Sequence, residues 1–555
     1  MYDYILRDAT VVDGTGRPGF PGDVAVRDGR VVAMGRVAGP ARREIRVDGR
    51  VVCPGFIDIH SHSDLSLPEL PTADSKVMQG VTTEVVGNCG FTLAPTRKEQ
   101  LGALRDYLSN TVAVKGGDLD LAWTTLGQFM DWLQARGISV NVATLVGQGT
   151  LRVAVMGFAE GPPDESQLRL MKEMLTRELA WGAFGISAGL PYIPDAFTTP
   201  GELVELCRLV RQAGGITSVH LRDEGAHWEE SLREVVQVVR ETGVSLEISH
   251  LKAEGRRSWG KGEERLKHLR ALRREGLPID ADQYPYTAFG SGLQDLVPPW
   301  VRARGVEEMA RLLKEPAVRE RVKAQIYGVQ PAEPRWEPPV LDLRWRDVIV
   351  SHVRSEKNSD LQGRTLQEIA DARGQDPADV VMDLLVEERA HVKMVVQAMQ
   401  EEDVRTILAD PDILVASDGR ATSPRGPDPG SRPHPRYYGT FPRVLASYVR
   451  EQGLLSMEAA IRKMTWLPAR KLGLQDRGVI APGCAADLCV FDPDRIQDHA
   501  TFQDPHRFPA GIDYVFVNGV PVVEEGSHTG ARPGRVLRRP EERVKTLSCC
   551  KGPAG

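Results

Sequence analysis

Six side chains with metal-binding chemistry lie far apart in the sequence, but each comes at the end of a short apolar run. These residues are His60, His62, Cys89, His220, His250 and Asp418. His60 and His62 are two residues apart, so on a β-strand both side chains point to the same face and can bind one ion. Each of the six alone is more commonly structural, as a buried polar residue, a small hydrophobe or a turn former. The joint pattern predicts a metal site, and imidazole and thiolate ligands favour Zn²⁺.

The apolar runs that precede these residues alternate with helical patterns. Eight runs are apparent, at residues 56–62, 82–90, 140–149, 182–190, 215–222, 244–251, 278–286 and 413–419. Between two of them, residues 199–214 place apolar side chains at i, i+3, i+4 and i+7, which is typical of an amphipathic helix. Eight strands in series with helices predict an α/β fold, a closed parallel (β/α)8 TIM-like barrel; an open doubly wound sheet is the alternative. In such a barrel the carboxyl ends of the strands surround the mouth, where all six side chains would meet.

The two ends of the chain have a different pattern from the middle. Residues 1–54 and 477–535 consist of short β-rich runs punctuated by Gly and Asp. Neither end is long enough to make a good core alone, so we expect one small β-sandwich domain built from both. The barrel then occupies residues 55–476.

Three segments do not fit a plain barrel. The gap before the last strand is too long for one connection, so we expect an inserted subdomain between strands seven and eight, at about residues 287–350. Residues 421–436 are rich in Pro, Gly and Arg and follow the last strand, so they could line the mouth, with Arg425 a candidate contact for an acidic side chain. Residues 536–555 are basic and then small, and we expect a disordered tail.

The bulk composition excludes several classes of protein. The 555 residues carry a formal net charge of −6, which gives no sign of a nucleic-acid partner or an anionic membrane surface. No apolar run approaches the ~20 residues of a membrane helix. The N-terminus shows no secretory signal pattern, and seven scattered cysteines have no framework spacing. We therefore expect reduced thiols in a cytoplasmic protein.

Several motifs carry a family resemblance. The chain resembles the metal-dependent amidohydrolase superfamily at PGFIDIHSHSD (54–64) and, within it, the N-acyl-D-amino-acid deacylases, or D-aminoacylases. The closer resemblance rests on GVTTEVVGNCGFTLAP (80–95), GISAGLPY (185–192), HLRDEG (220–225), ISHLKAEG (248–255), DQYPYTAFGSGL (282–293), ASDG (416–419) and HPRYYGTFPRVL (434–445).

The resemblance implies a particular metal site. Many amidohydrolases bridge two metals with a carboxylated lysine from strand four, but this strand has Ser187 and no lysine. In D-aminoacylase-like proteins a cysteine on strand two is a ligand instead, and Cys89 matches it. The resemblance implies a tight Zn²⁺ site and a possible second, weaker one. The tight site would use Cys89, His220 and His250, and the weaker one His60, His62, Cys89 and Asp418.

The resemblance also implies the reaction, which is zinc-dependent hydrolysis of the amide bond of N-acyl-D-amino acids to a carboxylate and a D-amino acid. Zinc would lower the pKa of water and polarise the carbonyl. Asp418 is the candidate catalytic residue, taking the proton from water and delivering it to the leaving nitrogen.

The substrate is therefore expected to be a small molecule, and its α-carboxylate needs a cationic partner. The family uses a lysine after the strand-six histidine and a tyrosine from YPY, which are Lys252 and Tyr284 here. Arg222 and Ser291 are further candidates, and Tyr192 could line the pocket.

Two alternatives remain open at this point. One is a cyclic-amide hydrolase of the hydantoinase or dihydroorotase type, against which the missing lysine and Cys89 argue. The other is a non-catalytic scaffold, against which the presence of all six metal-competent residues argues.

Overall fold

The computed structural model describes residues 1–109, 121–303, 305–332, 336, 338–426 and 430–539. Its strands are β1 (Tyr2–Val11), β2 (Phe20–Arg27), β3 (Arg30–Gly35), β4 (Ala41–Arg46), β5 (Val51–Pro54), β6 (Phe56–Asp58), β7 (Val81–Val86), β8 (Asn141–Thr144), β9 (Val146–Gly147), β10 (Gly185–Gly189), β11 (Ile216–His220), β12 (Ser245–Ile248), β13 (Ile279–Gln283), β14 (Ala288–Gly292), β15 (Val348–Val353), β16 (Val392–Gln397), β17 (Ile413–Val415), β18 (Leu488–Phe491), β19 (Ile512–Val517), β20 (Val520–Glu524) and β21 (Ser527–His528).

The α-helices are α1 (Asp74–Val77), α2 (Leu101–Ser109), α3 (Leu126–Arg136), α4 (Gln148–Met156), α5 (Glu165–Trp181), α6 (Pro200–Gln212), α7 (Trp228–Thr242), α8 (Gly262–Arg274), α9 (Pro299–Arg302), α10 (Val306–Leu312), α11 (Pro316–Ile326), α12 (Leu366–Arg373), α13 (Pro377–Glu387), α14 (Glu401–Ala409), α15 (Arg436–Arg443), α16 (Met457–Met464) and α17 (Trp466–Leu472). A π-helical segment, Val444–Glu451, continues α15. No helix in the described part of the chain combines the length and apolar character that a bilayer crossing requires.

The eight apolar segments form a closed parallel barrel, so the predicted (β/α)8 fold is confirmed. Strands β6, β7 and β8 pair in parallel, as do β9 through β13 and then β17. Strands β8 and β9 are two parts of one strand separated by Leu145. A parallel bridge between Ser61 and Gly419 joins the first and last strands and closes the barrel.

Helix α6 illustrates how the sequence pattern produces the outer layer. Thr199 caps the helix by accepting from the backbone N–H of Glu202, and Pro200 occupies the first turn, where its missing N–H costs nothing. The buried face carries Leu203, Leu206, Cys207 and Val210, the spacing of one helical stripe. That stripe orients α6 toward the barrel wall.

Both ends of the chain contribute to one small β-domain. Its nine strands are hydrogen-bonded in one sheet, in the order β21-β20-β19-β18-β5-β1-β2-β3, with β4 paired to β1. The two halves meet where β5 pairs antiparallel with β18, so that Val52 lies opposite Val490. A buried apolar cluster that includes Leu6, Val24 and Phe516 forms its core.

The insertion between β13 and β17 is longer than predicted. It contains an antiparallel sheet in the order β14-β16-β15, accompanied by helices α9–α13. The prediction ended this subdomain at residue 350, but the central strand of its sheet is β16, at Val392–Gln397. Strand β16 pairs only with strands distant in the sequence, and local periodicity carries no signal for such pairing.

The start of the predicted disordered tail also needs correction. Leu537 donates its backbone N–H to Val142 O at 2.8 Å and packs on the apolar cluster that contains Ile57 and Phe184. The guanidinium of Arg539 contacts the carbonyls of Leu179 and Ala183 at 3.3 Å. Residues 536–539 are therefore held against the barrel, and residues 540–555 lie outside the described residues.

Candidate metal centre and substrate pocket

The six metal-competent side chains meet at the barrel mouth, with the Cys89 sulfur among three imidazoles. Its Sγ lies 3.3 Å from Nε2 of His60, 3.8 Å from Nδ1 of His220 and 3.8 Å from Nε2 of His250. On the other side of His60, the carboxylate oxygen Oδ1 of Asp418 lies 3.5 Å from Nε2 of His60 and 3.2 Å from Nε2 of His62. The donors thus form three overlapping clusters among the described residues: His60 links Cys89 and His250 to His62 and Asp418, and His250 links them to His220 and Glu224.

A serine on the fourth barrel strand fixes the loop that carries Cys89. The Ser187 hydroxyl donates to the carbonyl of Gly87 and accepts from the N–H of Gly90, at 3.0 Å in the second case. Asn88 donates to Val85 O at 2.9 Å and accepts from the Ser218 hydroxyl at 3.1 Å. The position that lacks the family lysine therefore holds the cysteine loop.

Three of the six residues have backbone conformations that L-residues rarely adopt. Cys89, His250 and Asp418 have φ values of +52°, +36° and +46°. Non-glycine residues with positive φ cost of order 1–3 kcal/mol each, and they persist where the surrounding structure fixes them. The barrel holds all three in strained turns that direct their side chains to one point.

The electrostatics of this cluster fit a bound divalent cation. Burial lowers the pKa of His60 to about 3, and it lowers the pKa of His250 well below its ordinary value, so both imidazoles are neutral. Burial, with the charges of Asp418 and Glu224, raises the pKa of the Cys89 thiol well above its ordinary value. A cation at this point would reverse that trend, because coordination deprotonates a thiol. Neutral imidazoles, a thiol and a carboxylate facing one another form a donor set suited to Zn²⁺.

Glu224 holds the outer side of two of the imidazoles. Its Oε2 lies 3.1 Å from Nε2 of His220, and its Oε1 lies 3.0 Å from Nδ1 of His250. Lys252 donates to the same carboxylate at 2.5 Å. Burial opposes ionisation of Glu224, but the charge of Lys252 and the interactions with His250 and His220 outweigh it and hold its pKa well below the ordinary value. Sequence reasoning missed Glu224, although it lies inside the HLRDEG motif.

Asp282 contacts two of the histidines in the cluster, His250 and His60. Its Oδ1 accepts the backbone N–H of His250 at 2.9 Å, and its Oδ2 lies 3.5 Å from Nδ1 of His60. A carboxylate behind a ligating histidine fixes the ring orientation. Asp282 was not singled out in the sequence either, although it begins DQYPY.

Arg436 is the third residue that sequence reasoning missed. Its Nη1 lies 2.9 Å from Oδ2 of Asp418, and its guanidinium lies 4.8 Å from the centre of the Tyr284 ring. Burial raises the cost of ionising Asp418, but the charge of Arg436 and the contacts with the neighbouring histidines outweigh it and hold the pKa of Asp418 well below its ordinary value. Its place within the HPRYYG motif was the available signal.

Lys252 and Tyr284, two of the expected substrate contacts, lie beside the metal-binding cluster. Lys252 is 5% exposed and lies 5.7 Å from the centre of the Tyr284 ring. The Tyr284 hydroxyl is buried and has no hydrogen-bond partner among the described residues. The Tyr192 ring lies 5.1 Å from the His220 ring and lines the cavity.

The two further candidates are occupied by protein partners. Arg222 uses all five guanidinium N–H groups, on both carboxylate oxygens of Glu234 and on the carbonyls of Leu190, Ala196 and Thr198. It therefore holds the 190–198 loop and has no donor left for a substrate. The Ser291 hydroxyl lines the cavity but donates to Asp295.

The cluster opens into a cavity of about 170 Å³ between the barrel mouth and the insertion. A second cavity of about 550 Å³ continues from it along Arg222 and Glu224. His250 and Asp418 line both. The lining of the first cavity includes the apolar side chains of Leu65, Phe91, Phe158, Ile193 and Met309 and the cationic ones of Lys393, Arg420 and Arg436.

A (β/α)8 barrel with histidine, cysteine and aspartate at its strand ends, facing a substrate-sized cavity, defines the class of metal-binding barrel hydrolases. Residues 43–523 match the model of the amidohydrolase family. D-aminoacylase from Alcaligenes xylosoxydans xylosoxydans is 35% identical over 540 residues, covering 97% of this chain and 98% of the relative. N-acyl-D-aspartate deacylase from the same organism is 35% identical, covering 96% of this chain and 95% of the relative.

A solved structure agrees with these matches. N-acyl-D-glutamate deacylase from Bordetella bronchiseptica, complexed with zinc and a phosphonate mimic of the tetrahedral intermediate, has a TM-score of 0.79 and 32% identity, covering 97% of this chain and 99% of that one. The chain belongs to the amidohydrolase family, in its group of D-aminoacylases and N-acyl-D-amino-acid deacylases.

Proposed function

We propose that this protein is a zinc-dependent deacylase that hydrolyses the amide bond of N-acyl-D-amino acids, releasing a carboxylate and a D-amino acid. The observation that carries the proposal is the convergence of Cys89, His220 and His250 beside the Asp418 carboxylate, at the floor of a cavity. The three deacylases to which the chain is similar support the choice of substrate class.

The residues suggest how the metal would be held. Cys89, His220 and His250 would hold the tight zinc, and His60, His62 and Asp418 would hold a weaker second ion that shares Cys89. When bound, zinc supplies Lewis-acid chemistry, because it lowers the pKa of water toward neutrality and polarises a carbonyl group.

Asp418 is the proposed proton carrier. Its low pKa keeps the carboxylate ionised, and the Arg436 guanidinium holds Oδ2, so that Oδ1 stays directed at the histidines. From there it accepts the proton that water loses and delivers it to the departing amide nitrogen. Such general acid–base help contributes roughly 10²–10⁴-fold to the rate.

Arg436, Lys252 and Tyr284 are the proposed contacts of the substrate α-carboxylate. Arg436 is buried and its Nε has no hydrogen-bond partner among the described residues. The Tyr284 hydroxyl, which is equally without a described partner, can donate to the same anion. A carboxylate placed between two cations and a hydroxyl receives charge-assisted hydrogen bonds, which are about twice as strong as neutral ones.

The proposal is tested with zinc-loaded protein and paired N-acetyl-D- and N-acetyl-L-amino acids, with release of the free amine as the readout. We expect hydrolysis of the D-members only. Cys89→Ser should lose both zinc and activity, whereas Cys484→Ser, which changes a buried thiol in the β-domain, should keep both. Release of only L-amino acids, or a Cys89→Ser variant with full zinc and activity, would overturn the assignment.

We also propose a cytoplasmic location. The five cysteines in the described part of the chain are buried free thiols, and Cys53 and Cys489 are direct partners across β5 and β18 without a disulfide. Unlinked neighbouring thiols fit a reducing compartment.

A further inference from the structure

The cavity contains two cations that the α-carboxylate does not need. Lys393 lies on β16 of the insertion, paired in register with Gly292 and His352, and Arg420 follows Asp418 by two residues. Both side chains line the cavity that contains His250 and Asp418. Among the residues that the structure describes, neither side chain has a hydrogen-bond or ion-pair partner.

The other cations around the cavity each have a carboxylate partner. Arg436 pairs with Asp418, Lys252 with Glu224, and Arg302 with Asp295. Lys393 and Arg420 are therefore an excess of two positive charges over the acids that face them.

The charge of Lys393 is unfavourable in the free protein. Burial and then the nearby charge of Arg420 lower the pKa of Lys393 to about 7, against the opposing effect of Asp295. A cation removed from water without a partner costs free energy, which a bound anion would recover. The arrangement is thus complementary to an anionic group that arrives with the substrate.

We propose that Lys393 and Arg420 form a second anion subsite, which binds a carboxylate other than the α-carboxylate and makes dicarboxylic N-acyl-D-amino acids the preferred substrates. This inference rests on the proposed deacylase function. The second carboxylate can belong to the amino-acid side chain or to the acyl group, and the test separates these two sources. Arg425, the sequence candidate for this role, is exposed and does not line the cavity.

The first arm of the test compares charged and neutral substrates of similar size with the zinc-loaded wild type. N-acetyl-D-glutamate against N-acetyl-D-glutamine places the charge in the side chain, and N-succinyl-D-leucine against N-butanoyl-D-leucine places it in the acyl group. We expect kcat/KM to be at least about 10-fold higher for the acid in one of the pairs, because a hydrogen bond to a charged group contributes that much or more. The pair that shows the preference identifies the source of the carboxylate.

The second arm uses Lys393→Met and Arg420→Met. Each variant replaces the cation with an unbranched apolar side chain. Each should reduce the acid-to-neutral ratio of kcat/KM about 10-fold, mainly through KM of the acid. Lys393→Arg keeps the positive charge, so this variant should keep most of the acid-to-neutral ratio of kcat/KM. That result would show that the ratio depends on the charge at this position. Arg425→Met, the matched loss of one positive charge outside the cavity, should leave the ratio unchanged.

The failures of the two proposals are distinguishable. If no N-acyl-D-amino acid is hydrolysed, the deacylase function is wrong. If neutral and acidic members of both pairs are hydrolysed equally well, or if the ratio survives both methionine variants, the deacylase stands and the anion subsite is wrong.

Discussion

Oε1 of Glu224 lies 3.0 Å from Nδ1 of His250, on the side of the ring opposite the nitrogen that faces Cys89. The other oxygen of the same carboxylate contacts Nε2 of His220 at 3.1 Å, and again the remaining ring nitrogen faces Cys89. A metal bound through the inner nitrogens requires a proton on each outer one, and Glu224 accepts both. Nδ1 of His250 also lies 2.8 Å from the Lys252 ammonium. With a metal bound, this nitrogen would carry a proton and donate it to Glu224, so it could not accept a hydrogen bond from Lys252.

Replacing Glu224 with glutamine should weaken the metal site without removing a ligand. The amide keeps the size of the side chain, but it has one acceptor oxygen and no charge, so it cannot accept from both imidazoles. We expect about 10–100-fold weaker zinc binding, measured by competition with a chromophoric chelator. Glu229→Gln, an exposed change on the following helix, is the control. Equal zinc affinity in Glu224→Gln and wild type would show that the Glu224 carboxylate does not contribute to metal binding.

The inner donors of this site were predictable and the outer ones were not, for a physical reason. His220 and His250 each end a continuous apolar strand, so barrel geometry alone brings them to one rim. Glu224 lies in the loop after β11 and Arg436 is the first residue of α15, and each contacts a residue that follows another barrel strand. A charged residue at such a position is usually solvated, and only the folded structure shows that these two are buried.

Replacing Asp418 with asparagine should separate metal binding from turnover. The amide keeps the size of the side chain beside Arg436 but cannot take a proton, whereas Cys89, His220 and His250 are unchanged. We expect kcat to fall roughly 10²–10⁴-fold with the tight zinc retained, measured by steady-state kinetics beside metal analysis.

The matched control for this variant is Asp412→Asn, an exposed aspartate just before β17, which should behave as wild type. Near-normal turnover of folded, zinc-loaded Asp418→Asn would assign the proton transfer to another group.

The parts of the fold that could be predicted are those that leave a pattern in consecutive residues of the sequence. The parallel strands are buried on both faces and therefore appear as continuous apolar runs, which is why all eight were visible. Strand β16 of the insertion was not assigned, because its partners β14 and β15 are distant in the sequence. Leu537 was assigned to a disordered tail because a single apolar residue in a basic segment gives no hint of the barrel cluster on which it packs.

A buried polar network joins the β-domain to the barrel, and its removal should destabilise the protein. Asp487 accepts from Nδ2 of Asn141 on β8 at 3.0 Å and from the backbone N–H of Asn518 at 2.6 Å, and it pairs with the Arg477 guanidinium. Asp487→Ala leaves the buried Arg477 with only the more distant and partly exposed Asp476, at 3.7 Å, as a counter-charge, so we expect the loss in free energy of unfolding to approach that of a broken buried pair, about 3–5 kcal/mol. Denaturant unfolding of the metal-loaded protein measures this difference.

Replacing both partners provides the control for that network. The double variant Asp487→Ala with Arg477→Met removes the unpaired charge, so it should recover part of the lost stability. A double variant that is less stable than Asp487→Ala alone would mean that the packing of Arg477, and not its charge, dominates.

Lys463 is a buried cation remote from the metal site. It lies on α16, is 1% exposed, and donates to the carbonyl of Asp410. Burial lowers its pKa to about 7, against the opposing charges of Asp410 and Asp412. In the unfolded chain a lysine has a pKa near 10.4. Below pH 7 both states hold the proton; between about pH 7 and 10 the unfolded state holds more of it than the folded state, so this residue makes stability rise with pH.

Lys463→Met should therefore remove a pH-dependent cost. The variant should gain stability relative to wild type at pH 7, and this gain should shrink as the pH rises toward 10, by at most about 1.4 kcal/mol per pH unit. Thermal or denaturant unfolding of both proteins at half-unit steps from pH 7 to 9.5 measures the difference, with Lys314→Met as the exposed control. Because the metal ligands are common to both proteins, their titration cancels in the comparison. A difference between Lys463→Met and wild type that stays constant over this range would mean that Lys463 keeps its proton in the fold, held by the acids beside it.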